Sequence, residues 1–461
     1  MTATTTDMNV APPVSEIRPG LVTRVREGDL NGAATILMGI GAVGIVATLI
    51  GMFALGELQQ GLFSYLVAYM FTLGIALGGL FFVMLQHITR AGWSVTVRRT
   101  AEHFAGLLFP WMLLLGLPIL IFGGELYHHW WHEAHLLHDA QAIAAGGTVE
   151  NAEFTQQVKA ALDGGASVKD AAIAAGGDPV ILGKAGYLNP SFFWIRAAIY
   201  FAVWALLSGY FRKLSLRQDE TGDPGLTMKM SLRAAPGILA FALTLTFAAF
   251  DWIMSLDPHW FSTIFGVTYF AGGVMALLAS LTLVTMFLQK RGYQNEAVNK
   301  EHFHDLGKLL FAFMVFWTYV NFSQYMLIWY ANLPEETAWY QHRASLDWTG
   351  VTMPWGVVGT VLIVGHFLFP FAFLMSRHMK RNKLTLGFGA VFLLVMHWFD
   401  MQYLIMPTLH EQGMHLHWLD IAAFLGVVGL AAGLVVRSVA AHPLIPERDP
   451  RLRESLNFHN I

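Results

Sequence analysis

Runs of about 20 apolar residues, separated by short polar stretches, set the pattern of this chain. There are ten: Ala34–Gly56, Gly61–Leu85, His103–Phe122, Ser191–Phe211, Ala235–Met254, Phe261–Leu288, Gly307–Ala331, Pro354–Met375, Leu384–Met406 and Trp418–Ala440. Each is long enough to cross a bilayer, where a backbone must satisfy its own hydrogen bonds and so becomes a helix. The pattern predicts an all-α polytopic membrane protein with ten transmembrane helices. It divides into an N-terminal segment 1–33, helices one to three in 34–122, a long loop 123–190, helices four to ten in 191–440 and a tail 441–461.

The positions of Lys and Arg orient these spans. With the N-terminus inside, 23 of the 28 fall in inside segments; only Lys159, Lys169, Lys184, Arg196 and Arg343 fall outside. Both termini are therefore expected in the cytoplasm, and the loop 123–190 is expected outside. The first 33 residues hold no apolar stretch, so no cleavable signal peptide is expected. A content of 55% hydrophobic and 13% charged residues excludes a soluble enzyme. Without cysteine, the chain can form no iron–sulfur ligation, covalent c-type haem attachment or disulfide. No nucleic-acid partner is expected.

Three motifs occur twice, in the same order and four helices apart. Glu102-His103-Phe104 matches Glu301-His302-Phe303, and Leu85-Gln86 with Arg90 and Trp93 matches Leu288-Gln289 with Arg291 and Tyr293. Phe250-Asp251, with Pro258 seven residues after the acid, matches Phe399-Asp400 with Pro407. Spans two to five and six to nine then form two four-helix bundles related by a parallel repeat, with spans one and ten flanking them.

Several of these stretches resemble a known family. The segments Phe250–Gly266, Gln86–Arg99 and Ser323–Glu336 are similar to the NrfD-like membrane subunits of bacterial alternative complex III. The likeness covers the whole membrane part and is strongest to the second, smaller of the two such subunits. It implies a quinol:electron-acceptor oxidoreductase of the bacterial cytoplasmic membrane, working on menaquinone or ubiquinone. It also implies a homologous membrane subunit, an iron–sulfur/molybdopterin-like subunit and multihaem and monohaem cytochromes c as partners, which would carry the haem c and iron–sulfur clusters. Within such a complex this chain would be a scaffold and proton-conducting subunit, not an enzyme alone. A quinone-binding anchor of another polysulfide- or molybdopterin-type reductase is a variant of the same reading.

Depth along the spans sorts the polar residues. Arg196, Asp251, Asp257, His259, Asp400, Gln402 and Asp420 fall toward the outer face. Asn321, Ser323, Gln324, Tyr325, His366 and His397 fall at mid-depth, and His87, Glu102, His103, His302, His304, Asp305 and Lys308 toward the cytoplasm. The second bundle thus offers a ladder of candidates for proton transfer: Asp251, His259, Asn321, Gln324, Tyr325, His366, His397, Asp400, His302, His304, Asp305 and Lys308. The bland alternative is a set of interhelical hydrogen bonds. His397 and Asp400 stand one turn apart on one helix face, which favours a shared proton. Asp251, His259 and Arg196 are candidates for quinone contact.

No metal site is expected, although two histidine sets invite one. His366 and His397 on adjacent spans could ligate a b-type haem, and His128 and His132, four apart, could face one metal. For the latter, Trp130 and Trp131 point instead to an aromatic belt at the membrane surface. Ten spans with a duplication also suit a stand-alone secondary transporter, which would carry discontinuous helices at the midplane near Pro118 or Pro370.

Overall fold

The computed structural model describes residues 11, 13–344 and 353–460, and its regular structure among these residues is helical, joined by turns and loops, with one isolated bridge, Met353–Met414. Ten helices among these residues are long and apolar enough to span a bilayer. They are α1 (Asn31–Phe53), α2 (Leu58–Ile88), α3 (Val95–Ile121), α4 (Pro190–Thr221), α5 (Pro224–Leu256), α6 (Phe265–Lys290), α7 (Lys300–Ala331), α8 (Trp355–Met375), α9 (Lys383–Thr408) and α10 (Trp418–Ala441). The protein is an all-α, multi-pass membrane protein.

Local chemistry sets several of the ends. Asn189 and Asp223 cap α4 and α5 just before a proline, which suits a first helical turn because its own N–H would be unpaired there. Gly222 stops α4 in the left-handed region at φ 67°. Asn299 opens α7 with a capping box in which the His302 ring answers back.

Packing follows the repeat. Helices α2–α5 close one ring of neighbours and α6–α9 another. The lead helix of each ring, α2 or α6, touches the other lead helix and the last helix of the other ring, so the two units meet reciprocally. Gly74 and Gly273 allow that contact: a Cβ on Gly273 would stand 2.9 Å from the Gly74 carbonyl oxygen. Small residues let membrane helices approach closely where no hydrophobic effect drives them together. The same device joins α1 to α10, where Gly44 and Gly426 meet backbone to backbone.

The segment before α1 and the tail after α10 meet at one end of the bundle. There Leu444 N–H donates to the Thr23 carbonyl (2.7 Å) and the Thr23 hydroxyl to Glu447 (2.7 Å). This is the terminal end; the opposite one, holding residues 122–189, is the loop end. Helices α3 and α7 begin earlier than their apolar runs suggest, because the C-terminal tail buries their polar first turns. Arg98 meets Asp449 at 2.6 Å, and Ser455 bonds both Thr96 and, at 3.3 Å, His302.

The long loop is a folded helical cap. Ala140, Ile143, Phe154, Val158, Ala171, Ala172 and Leu182 form its own small core. Trp130 is buried against Tyr127 and Phe193, with ring centroids 5.8 and 5.7 Å apart, so it anchors the cap and does not join a surface belt. His128, His129, His132, His135 and His138 face outward. The Lys184 ammonium donates to the Pro258 carbonyl (2.6 Å), and His259 Nε2 lies 2.7 Å from Asp178 Oδ2, tying the cap to the turn after α5.

That last contact carries a pH dependence. Burial pushes the Asp178 carboxyl up, but the His259 hydrogen bond and the backbone N–H groups of Ile181 and Val180 outweigh it and hold it below the usual carboxylate range. A depressed carboxyl stabilises above its unfolded value, roughly pH 4, and loses that contribution as pH falls through its folded value. Limited proteolysis of the cap should therefore accelerate below about pH 4. Asp178→Asn should give the faster cleavage already at neutral pH and flatten the acid dependence; cleavage at the wild-type rate would refute the tie.

Candidate functional site

The duplicated acids Asp251 and Asp400 occupy matching places on α5 and α9, yet their surroundings differ in kind. Asp251, 1% exposed, receives a fork from Arg196 on α4, with Nε at 2.7 Å from Oδ2 and the second guanidinium nitrogen at 2.9 Å from Oδ1. The Tyr200 hydroxyl donates to Oδ2 at 2.6 Å. The guanidinium is itself stacked between Tyr187 and Phe192, 3.8 and 4.5 Å from the ring centroids, and donates to the Tyr187 carbonyl. Both carboxylate oxygens are engaged, and the charge is neutralised where it sits.

Asp400 has no such cation. It is 3% exposed, accepts from Trp317 Nε1 at 3.0 Å and lies 3.6 Å from His397 Nδ1. Among the described residues no Lys or Arg reaches ion-pair distance of it. His366, on α8, presses its ring against Trp317 with centroids 3.8 Å apart and stands 6.5 Å from the His397 ring. Both histidines are fully buried, and none of their four ring nitrogens has a hydrogen-bond partner. Three helices, α7, α8 and α9, thus bring one carboxylate, two imidazoles and one indole N–H together. With no fixed cation, the charge of this cluster is set by protons alone.

Backbone irregularity helps place these groups. Pro370 lacks the N–H that would bond the His366 carbonyl, and α8 relaxes there into a π turn over Ile363–Leu368 that carries His366 inward. On α6, Gly272 leaves the room that the His397 ring fills; a Cβ there would come within 2.8 Å of Cε1.

The expected ladder is broken on one side. Toward the loop end, α9 carries Tyr403 one turn after Asp400, and the Arg343 guanidinium donates to the Tyr403 carbonyl while stacked 3.7 Å over Trp339. Gln324 accepts from Ser262 (2.8 Å) and donates to Tyr340 (3.0 Å), which sets it at the loop end and not at mid-depth. Asn321 turns its amide back to the Trp317 carbonyl, and Tyr325 is 46% exposed on the outer face of α7. Toward the terminal end, α7 runs through Leu309–Phe316 without a polar residue save backbone, a rise of about 12 Å. Beyond it most groups already have partners, Lys308 with Asp305 (2.5 Å), Asp305 with Asn460, Glu301 with Arg381, and His302 with Ser455, while Glu301 Oε2 is left without one. His304 faces Glu301 at 4.0 Å. His259 lies on the loop-end surface, half exposed, with Asp178.

No known protein-family model matches the chain, and no curated protein does. Among the described residues no group of three or more His, Cys, Asp or Glu is disposed to hold a metal ion.

Sequence reasoning found Asp400, His397, His366, Arg196 and Asp251 but missed Trp317. One indole among fifteen Trp gives no signal until α7 and α9 are known to pack together. The terminal-end network of Arg98, Arg99, Glu102 and Asp219 was also hidden; Arg99 meets Asp219 at 2.6 Å across 120 residues of sequence.

Proposed function

We propose that this chain is an integral membrane subunit of a quinol-oxidising respiratory complex, of the alternative complex III type, and that its second bundle exchanges protons. The motif likeness of Phe250–Gly266, Gln86–Arg99 and Ser323–Glu336 supports membership in the complex. The Asp400 cluster carries the proton role: a carboxylate and two imidazoles, buried without a counter-cation, form a site whose occupancy can change only by protons. Transfer between Asp400 Oδ2 and His397 Nδ1 spans 3.6 Å and needs only a small side-chain shift. Loading comes from the loop end, where Tyr403, Gln324 and Tyr340 offer hydroxyl and amide groups. The apolar stretch Leu309–Phe316 insulates the site from the terminal end.

The excess of Lys and Arg at the terminal end supports a cytoplasmic side for that end, in the bacterial inner membrane that such a complex occupies. The cap then lies outside, beside the iron–sulfur and cytochrome c subunits that hold the redox centres. Quinol is oxidised in the homologous membrane partner. Arg196 and Asp251, the polar pair best suited to a quinone here, have already spent their hydrogen bonds on each other.

Purification through a tag on this chain, in mild detergent, tests the assignment. The expected result is co-purification of c-type haem, visible in the reduced-minus-oxidised spectrum, with iron–sulfur protein. A colourless, solitary chain that catalyses transport in vesicles would replace the reading with a transporter.

A further inference from the structure

A second cluster of titratable side chains lies at the loop end, apart from the Asp400 site. His410, His415 and His417, from the loop between α9 and α10, line an open cleft of about 460 Å³ with Glu57, Gln60 and Glu125. Glu57 and Gln60 come from the turn between α1 and α2 and the start of α2.

Gln60 fixes the chemistry of one imidazole. Its amide nitrogen donates to Ser64 Oγ at 3.1 Å and lies 3.4 Å from Asp420 Oδ1. Asp420 is itself buried, with Ser64 Oγ at 2.6 Å and the His417 backbone N–H at 2.9 Å. The Gln60 oxygen therefore faces His410 Nε2, at 2.6 Å, and only an N–H can donate to it. His410 Nδ1 is left with its lone pair bare. A histidine whose other N–H is held by a carbonyl oxygen is the usual arrangement of a metal ligand.

Two further donors stand by. His415 is exposed, with its ring centroid 6.0 Å from that of His410. Glu57 Oε2 is a buried oxygen without a hydrogen-bond partner, 3.5 Å from His417 Nε2. His417 is the poorer ligand, because its Nδ1 already accepts the Leu419 N–H at the start of α10.

We propose that this cleft binds a divalent transition-metal ion of the Zn²⁺ class through His410 Nδ1, a His415 ring nitrogen and the Glu57 carboxylate, with water completing the shell. Two imidazoles and one carboxylate suit such a borderline ion, whereas Ca²⁺ and Mg²⁺ ask for oxygen ligands throughout. As the side chains stand, no three donors converge on one point among the described residues. Rings sharing one tetrahedral ion stand roughly 5 Å apart, so the exposed His415 must turn inward by about an ångström to close the site. The bound ion would clamp the α1–α2 turn to the α9–α10 loop above the buried Asp420.

Calorimetric titration of Zn²⁺ into the purified, chelator-treated protein near neutral pH tests this, with Cu²⁺ electron paramagnetic resonance to count nitrogen ligands. Saturable binding to one site is expected, with coupling from two nitrogens. His415→Ala should weaken it at least about tenfold and leave one nitrogen; Glu57→Gln should weaken it while keeping two. Neither side chain is in the packed core, so both variants should fold. The double variant His128→Ala/His132→Ala should bind as the wild type does. The proposal fails if the wild type shows no saturable site, if His415→Ala binds equally well, or if only the cap double variant loses the metal.

Discussion

Asp400→Asn should lower quinol-oxidation turnover of the assembled complex by at least about tenfold, equivalent to some 1.4 kcal/mol of barrier, while the complex still assembles. Asparagine keeps the volume of the side chain and can still accept from Trp317 Nε1, now 3.0 Å from Oδ2. What it removes is the group that takes up and releases a proton beside His397. No cation is stranded by the change, because none pairs with Asp400, so the cost to folding should be small. Trp317→Phe makes the contrasting variant. It removes the donor and leaves the acid, and should shift the pH profile of turnover before it reduces the maximum. Turnover and proton-to-electron ratio both unchanged in Asp400→Asn would end the proton role. A loss of assembly with normal activity per complex would make the cluster a set of helix fasteners.

The spans were legible because apolar length is a one-dimensional property that the bilayer enforces. The repeat was legible for the same reason: its motifs keep their order and depth. Charged first turns were not. Hydropathy reads Arg98, Arg99 and Glu102 as solvent-facing, and only the fold, through Asp449 of the tail and Asp219 of α4, shows them buried. Depth was misjudged for Gln324 because α7 runs for 32 residues, more than the roughly 20 a bilayer needs. Its last turns therefore reach beyond the core to meet Ser262 and Tyr340. Pairing was the deepest blind spot. His397 and Asp400 share a helix, so their spacing gave them away. Arg196 and Asp251 sit on different helices, and the sequence offered them as separate ligands for a quinone when they are ligands for each other.

That pairing makes Arg196→Met a strongly destabilising change at the loop end. Methionine fills most of the space between Tyr187 and Phe192 but leaves Asp251 buried with only the Tyr200 hydroxyl and no positive charge. Breaking a buried pair from one side typically costs about 3–5 kcal/mol, mostly the penalty of the stranded charge. The expected reading is a large fall in thermal stability and yield of the detergent-solubilised protein. Asp251→Asn alone should cost less, since the guanidinium keeps the Tyr187 carbonyl and two aromatic faces. The double variant Arg196→Met/Asp251→Asn should regain most of the loss, because a neutral amide needs no counter-ion. Arg196→Met within about 1 kcal/mol of wild type, or a double variant no better than the single, would mean the acid is not held charged by its neighbour. Activity of the double variant then separates the two duplicated acids. If Asp251 serves only to fasten α4 to α5, the rescued protein turns over normally, whereas a rescued but inactive protein would give the first bundle a chemical role of its own.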